Sequence, residues 1–386
     1  MRTIFFTGKG GVGKTSIAAA TACRLAQAGQ QVLIMSTDQA HSLSDSFEQP
    51  IGSEETLLAP HLYGLEIDVV RENEAAWGKL KAYLQALLTV RSEQLLEAEE
   101  LLVFPGLEEL FALLKVLEIK ESGRYDVLIV DCAPTGETLS LLRFPEMFGQ
   151  LVEKVLPVKR KAAKIAGPAV SKLTQIPMPQ DEVFDEIERL TKRLEQLKAL
   201  MSDASQVTLR LVTTAERIVI RETKRSFTWL HLYGYPVDAV IVNRLYPPEA
   251  LAGYFAAWQP LQEQGLQDIQ ESFSGRPIFT LELQTEELKG KAALLQAAEK
   301  LYGEQDPLPV LAAETIFSLK REAEGYRLTW SLPFADKADL DITQQADELV
   351  VGVENSWRRL LLPEPVRGRT VVKAIYQEGL LTLWLE

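Results

Sequence analysis

Gly8-Lys9-Gly10-Gly11-Val12-Gly13-Lys14-Thr15 sets two lysines and a threonine in and directly after a run of glycines. Glycine has no Cβ, so successive backbone N–H groups can turn inward around an anion. Lys14 adds a charge that can reach β- and γ-phosphate oxygens, and the Thr15 hydroxyl is a hard ligand for Mg²⁺. The spacing G-x-x-x-x-G-K-[ST] is that of a phosphate-binding loop. Such a loop needs a strand before it and a helix after it. Ile4-Phe5-Phe6 reads as the strand and the Ala-rich pattern from Ser16 to Ala28 as the helix, with its positive N-terminal end toward the phosphates. The chemistry expected is binding of ATP and Mg²⁺ by Gly8, Lys9, Gly10, Gly11, Val12, Gly13, Lys14, Thr15 and Ser16.

Other strand ends carry groups for the same chemistry. Gln31 to Met35 reads as the second strand and delivers the polar run Ser36 to Asp45. Residues just past a parallel strand's C-terminal end line the ligand crevice, so Asp38 is placed to meet Mg²⁺. A helix-capping loop is the alternative for this run. Tyr125 to Val130 is an apolar strand pattern ending in Asp131, the arrangement that orients Mg²⁺ through its water shell. Gly136, shortly after it, could bring a backbone N–H to the γ-phosphate and sense ATP against ADP. Val237 to Val242 ends in Asn243, whose amide offers a donor and an acceptor to a base, or to a turn.

Strands alternating with helices around such a loop predict an α/β fold, a doubly wound, mostly parallel P-loop NTPase sheet. At 386 residues, 46% hydrophobic and 25% charged, the chain can build two or three domains with a large core. The formal charge of −13 disfavours nucleic acid and acidic membrane surfaces as general partners. No run approaches the ~18 apolar residues of a membrane span, and the first apolar run is too short for a secretory signal. A cytoplasmic or equivalent reducing compartment is expected. Cys23 and Cys132 are the only cysteines, which argues against a disulfide framework, and no zinc is expected.

Two stretches, at about 70–121 and 145–205, interrupt the α/β pattern with helical periodicity. In the first, Trp77, Leu80, Leu84, Leu87, Leu88, Leu95 and Leu96 recur at helical spacings. In the second, Val183, Ile187, Leu190, Leu194, Leu197 and Met201 form a heptad seam. The seam can pack against its own neighbours or line a groove. Lys159-Arg160-Lys161 with Lys164 reads as a solvated cluster. Residues 308–324 look like a helix or linker, and after them the period turns strand-like: Tyr326–Phe334, Asp339–Thr343, Glu348–Glu354, Trp357–Leu362, Val371–Tyr376 and Leu380–Leu385. That predicts a C-terminal all-β sandwich over 320–386, behind an ATPase domain over 1–316.

Lys9 makes the loop the deviant form with a second lysine. With Asp38-Gln-Ala-His-Ser-Leu-Ser-Asp45 and Asp131-Cys-Ala-Pro-Thr-Gly136, the chain resembles the arsenite-pump and tail-anchored-protein-targeting ATPases. The resemblance implies a homodimer that sandwiches nucleotide, with Lys9 reaching the partner's ATP and Asp45 polarising the attacking water. It implies that Glu222 contacts nucleotide across the dimer and that Asn243 reads the adenine. It also implies that the helical insertions form a subdomain holding an apolar client helix. Gln39, Glu137, Thr214-Ala215 and Thr280 depart from the usual pattern. The tail resembles the α-crystallin domain of small heat-shock proteins, as a client-binding module or as a structural cap.

Three functions are left open. One is a chaperone or membrane-protein targeting factor, an ATP-switched homodimer with apolar protein clients and a transient membrane or receptor contact. The second is the motor subunit of an arsenite-type efflux pump; against it, trivalent arsenic prefers a thiolate trio and the chain offers two distant cysteines. The third is a partition or positioning ATPase on DNA or membrane, which would want a basic surface or a terminal amphipathic helix.

Overall fold

The computed structural model describes residues 1–37, 42–67, 78, 82, 107–132, 181–323, 325–354 and 356–386. The chain divides into two compact units. One is Met1–Glu66 with Tyr125–Thr135 and Met201–Glu386, the other Ile67–Arg124 with Gly136–Leu200.

An eight-stranded sheet organises the first unit. Its strands are β1 (Arg2–Thr7), β2 (Val32–Ser36), β3 (Thr56–Ala59), β4 (Leu62–Glu66), β5 (Val127–Asp131), β6 (Val207–Thr213), β7 (Val237–Leu245) and β8 (Ile278–Glu282). Their spatial order is β3-β4-β2-β5-β1-β6-β7-β8. Only β3 pairs antiparallel; all other neighbours are parallel. Every residue of β2, β5 and β6 is buried, which is what a sheet covered on both faces demands. The described helices of more than four residues, taken over both units, are α1 (Lys14–Gln27), α2 (Ser42–Phe47), α3 (Leu107–Ser122), α4 (Asp181–Met201), α5 (Arg217–Tyr233), α6 (Gln259–Ser272) and α7 (Gly290–Tyr302). α1 lies along α7, and its alanines let the two backbones approach over a core that includes Ile17, Leu294 and Leu301. The doubly wound α/β fold read from the sequence is the one observed.

In the second unit, the described parts are mainly α3 and α4. The heptad seam of α4 is buried, from Leu190 and Leu194 at 2% exposed to Val183 and Ile187 at 6%. Arg193 reaches Glu121 on α3 with two contacts of 2.9 and 3.0 Å. The seam therefore packs inward. Most of the two predicted insertions, including the Trp77–Leu96 stripe and the Lys159–Lys164 cluster, lies outside the described residues.

Residues after Phe317 form two antiparallel sheets. β9 (Phe317–Glu322), β10 (Gly325–Ser331), β14 (Val371–Gln377) and β15 (Leu380–Leu385) make one, in the order β14-β15-β10-β9; β11 (Leu340–Gln345), β12 (Glu348–Val353) and β13 (Ser356–Leu361) make the other. Alternate residues Leu328, Trp330, Leu349, Val351, Leu381, Leu383 and Leu385 are fully buried. The all-β tail is as predicted, with one correction: part of the 308–324 stretch is the edge strand β9. Its outer end is charged (Lys320, Arg321, Glu322), as edge strands often are, and that hid the strand pattern.

The β domain is bonded to α5. Trp330 Nε1 donates to the His231 carbonyl at 3.0 Å, Arg358 to the Leu232 carbonyl at 2.6 Å, and the Tyr233 hydroxyl to the Trp357 carbonyl at 3.1 Å. His231 lies in this junction, its ring 4.1 Å from that of Phe227 and its Nδ1 3.3 Å from Ser331 Oγ. Glu314 nearby is held by Arg276 at 2.6 Å. Burial, then the Arg276 charge, push the His231 pKa down to about 3. Between that value and the usual ~6.5 the unfolded chain binds a proton that the folded chain refuses. Stability should therefore be full above pH ~6.5 and fall as the pH drops, by at most about 1.4 kcal/mol per pH unit from this group. Melting temperatures between pH 7 and pH 4 should fall less steeply for His231→Gln than for the parent. Equal slopes would show that His231 does not carry this acid sensitivity.

Candidate nucleotide site

The glycine loop takes backbone angles that only glycine adopts cheaply. Gly11 and Gly13 have φ of 81° and 88°, and Gly13 is the left-handed cap of α1. A Cβ on Gly8 would run into the Val212 carbonyl, and one on Gly13 into the Asn243 amide. The loop is thus pressed onto the ends of β6 and β7 while Gly10 and Gly11 stay exposed. Lys14, 7% exposed, curls back and donates to the Lys9 carbonyl at 3.3 Å.

Behind the loop, oxygen ligands gather. The Thr15 hydroxyl donates to Asp131 Oδ2 at 2.6 Å, and Ser42 Oγ lies 3.2 Å from Thr15 Oγ1. Asp131 ends β5, in register with Phe6 of β1 and Ser36 of β2. The Thr37 N–H donates to its carbonyl at 3.0 Å. One carboxylate with two hydroxyls is a hard, sparse donor set, and it fits a Mg²⁺ that takes its other ligands from water and phosphate. Thr15 would bind the ion and Asp131 would stand behind it; the ion supplies neutralisation of phosphate charge. Asp38, proposed beside them, lies outside the described residues, as does Gly136. Ser42 was not singled out from the sequence, where it is one more hydroxyl in a polar run.

Lys9 and Glu222, both expected at a partner's nucleotide, meet each other within one chain. Their charged atoms are 3.1 Å apart, with side chains 37% and 34% exposed. Asp45 is exposed at the rim of the site, near enough to Lys289 to help hold that ammonium's proton, behind the larger influence of Glu287. Ser42, nearly one turn earlier on α2, makes the contact to Thr15.

Beyond the loop opens a cleft of about 1240 Å³, bordered by Gly13, Ser16, Thr214, Asn243, Arg244 and Tyr246 among others. Asn243 is 5% exposed. Its Nδ2 donates to the Val12 carbonyl at 2.9 Å and its Oδ1 accepts from Arg244 N–H at 2.9 Å. The turn reading of this amide is the one these bonds show: it caps its own strand end and grips the phosphate loop. Gly13 and Ser16 border both the loop and the cleft, so the two are continuous.

The family model for anion-transporting ATPases matches residues 1–303, and that for the HSP20-like domain found in these ATPases matches residues 323–384. The chain belongs to the anion-transporting, or ArsA, ATPase family. It is an ATPase. A relative in Chlorobaculum tepidum, whose name, itself provisional, is arsenical pump-driving ATPase, is 34% identical over 381 residues, covering 98% of this chain and 94% of its own. One in Aquifex aeolicus with the same provisional name is 33% identical over 380 residues, covering 95% and 96%. In Paramecium tetraurelia an ATPase named as an ASNA1 homolog is 27% identical over 307 residues, covering 78% of this chain and 92% of its own. The ArsA-type loop, the Asp131 strand end and the C-terminal β domain thus occur together in one chain.

Proposed function

We propose that this ATPase works with Mg²⁺ as a nucleotide-switched homodimer that binds apolar protein segments. The observation that carries the reading is the divergence of two lysines from one loop. Lys14 folds back over its own loop, whereas the Lys9 ammonium reaches away to Glu222. A half-exposed pair of that kind is worth about 1 kcal/mol or less, so Lys9 can leave it for a phosphate on a second subunit. ATP would then draw two chains together and hydrolysis would release them, a population shift driven by nucleotide. Thr15, Asp38 and Asp131 are assigned to Mg²⁺, Gly136 to sensing the γ-phosphate and Asn243 to the base; the motif resemblance gives the attacking water to Asp45, and Asp38 is the competing carboxylate. The helical insertions and the β domain, which the phosphate chemistry does not need, are assigned to the client.

The names of the arsenical pump-driving relatives favour a second reading, the motor of an anion efflux pump. Against metalloid binding by this chain itself, Cys23 and Cys132 are both buried. Burial pushes the Cys23 thiol up to about 12 and raises Cys132 as well, so neither offers a thiolate near neutral pH. A turnover-deficient Asp38→Asn chain, purified with ATP from its native host, separates the readings. Bound proteins with apolar transmembrane segments, displaced by a synthetic apolar helix, are expected. An integral anion channel in their place would support the pump motor.

A further inference from the structure

We propose that Glu66 is a positioning residue for hydrolysis, a clamp that holds the switch helix α2 with Ser42 against Thr15. The inference rests on the reading of the loop as the ATP site. α2 has 6 residues, too few to hold a helix by local forces, and the N–H groups of its first turn have no partner within the helix. Glu66, the last residue of β4, supplies one. Its Oε1 accepts from the Ser44 N–H at 2.9 Å and its Oε2 from the Ser44 hydroxyl at 3.0 Å. The Ser44 oxygen accepts in turn from the Ile51 N–H at 3.0 Å, and the Gly52 carbonyl accepts from the Glu66 N–H at 2.9 Å. These bonds close a ring that ties residues 44–52 to the end of β4.

Glu66 is 4% exposed. A carboxylate so buried is tolerated only with strong donors, and hydrogen bonds to a charged group are the stronger kind. Its position matters as much as its bonds. Glu66 stands in register with Ser36 of β2, where the switch segment begins, and grips Ser44, where it ends. Glu66 thus meets the described residues on either side of 38–41, Ser36 through the sheet and Ser44 through its carboxylate. The next residue, Ile67, opens the helical unit, so the chain leaves the ATPase sheet from this clamp.

The test is steady-state ATP turnover of the full chain with Mg²⁺, alongside binding of a fluorescent ATP analogue. Glu66→Ala is expected to lower kcat about tenfold or more, the size of one lost charged hydrogen-bonded anchor, with KM and analogue affinity within about threefold. Ser44→Ala should fall the same way, and the double variant no further than the worse single one. Glu66→Gln, which keeps an acceptor for the Ser44 N–H, should recover part of the loss. Wild-type kcat in folded Glu66→Ala, or additive losses in the double variant, would overturn the clamp. If Glu66→Ala does not fold, wild-type kcat in both Glu66→Gln and Ser44→Ala overturns it. Lys14→Ala, run in parallel, keeps the two readings apart. Unchanged turnover there would sink the ATP site itself, whereas lost turnover there beside wild-type kcat in Glu66→Ala sinks only the clamp.

Discussion

Lys9→Ala is expected to lower ATP turnover by about 10³-fold or more, the scale at which a cation supplied in trans acts on phosphoryl transfer. The variant should still fold and still bind ATP through Lys14 and Thr15. The reason lies in where each lysine points. Lys14 is 7% exposed and lies over its own loop, where it can serve only its own phosphates. Lys9 is 37% exposed and pairs with Glu222, a contact too weak to explain why a second lysine stands in the loop. Removing a surface lysine of a structural pair changes little; removing one that neutralises a developing phosphate charge removes transition-state stabilisation. Turnover within a few-fold of the parent would assign Lys9 to the surface and remove the cross-subunit role.

Asp38→Asn is expected to cost about 10²–10⁴-fold in turnover, the usual contribution of a positioned acid–base group, with ATP binding kept. Asp45→Asn is expected to cost less than about tenfold. The motif resemblance gives the attacking water to Asp45; these expected losses give it to Asp38, from the described residues on either side of it. Thr37 bonds to the Asp131 carbonyl and Ser42 lies against Thr15, so the residues on either side of 38–41 touch the groups assigned to Mg²⁺. Asp45 is exposed and faces the Lys289 side of the rim. Single-turnover rates of the two variants at saturating ATP decide between them. A large loss in Asp45→Asn would mean that closure turns α2 inward.

The parts of this site that were legible in the sequence are those where one residue type is forced. Gly13 must take a left-handed turn against Asn243, Thr15 must carry an oxygen, and Asp131 must end a buried strand. Local order was enough to find them. Glu66 and Ser44 lie 22 positions apart, and nothing local announces that a strand end will cap a helix. Ser42 was hidden among equivalent hydroxyls. Lys9 and Glu222 were both singled out, yet their pairing with each other was not, because two exposed charges leave no pattern of burial. The heptad seam of α4 was read correctly as a stripe, but periodicity says that a stripe is buried and not what covers it. β9 was missed because an edge strand can carry charge on its open side.

The central claim is that each ATP site is completed by the partner subunit, and complementation by mixing tests it most directly. Lys9→Ala keeps an intact loop but cannot donate its lysine; Lys14→Ala has a damaged loop but can. Each alone should be nearly inactive. Mixed in equal amounts and allowed to exchange, they should recover about a quarter of the parent activity, since half the dimers would then carry one complete site of two. A mixture that stays as inactive as its parts would contradict a shared site and leave Lys9 acting only within its own chain.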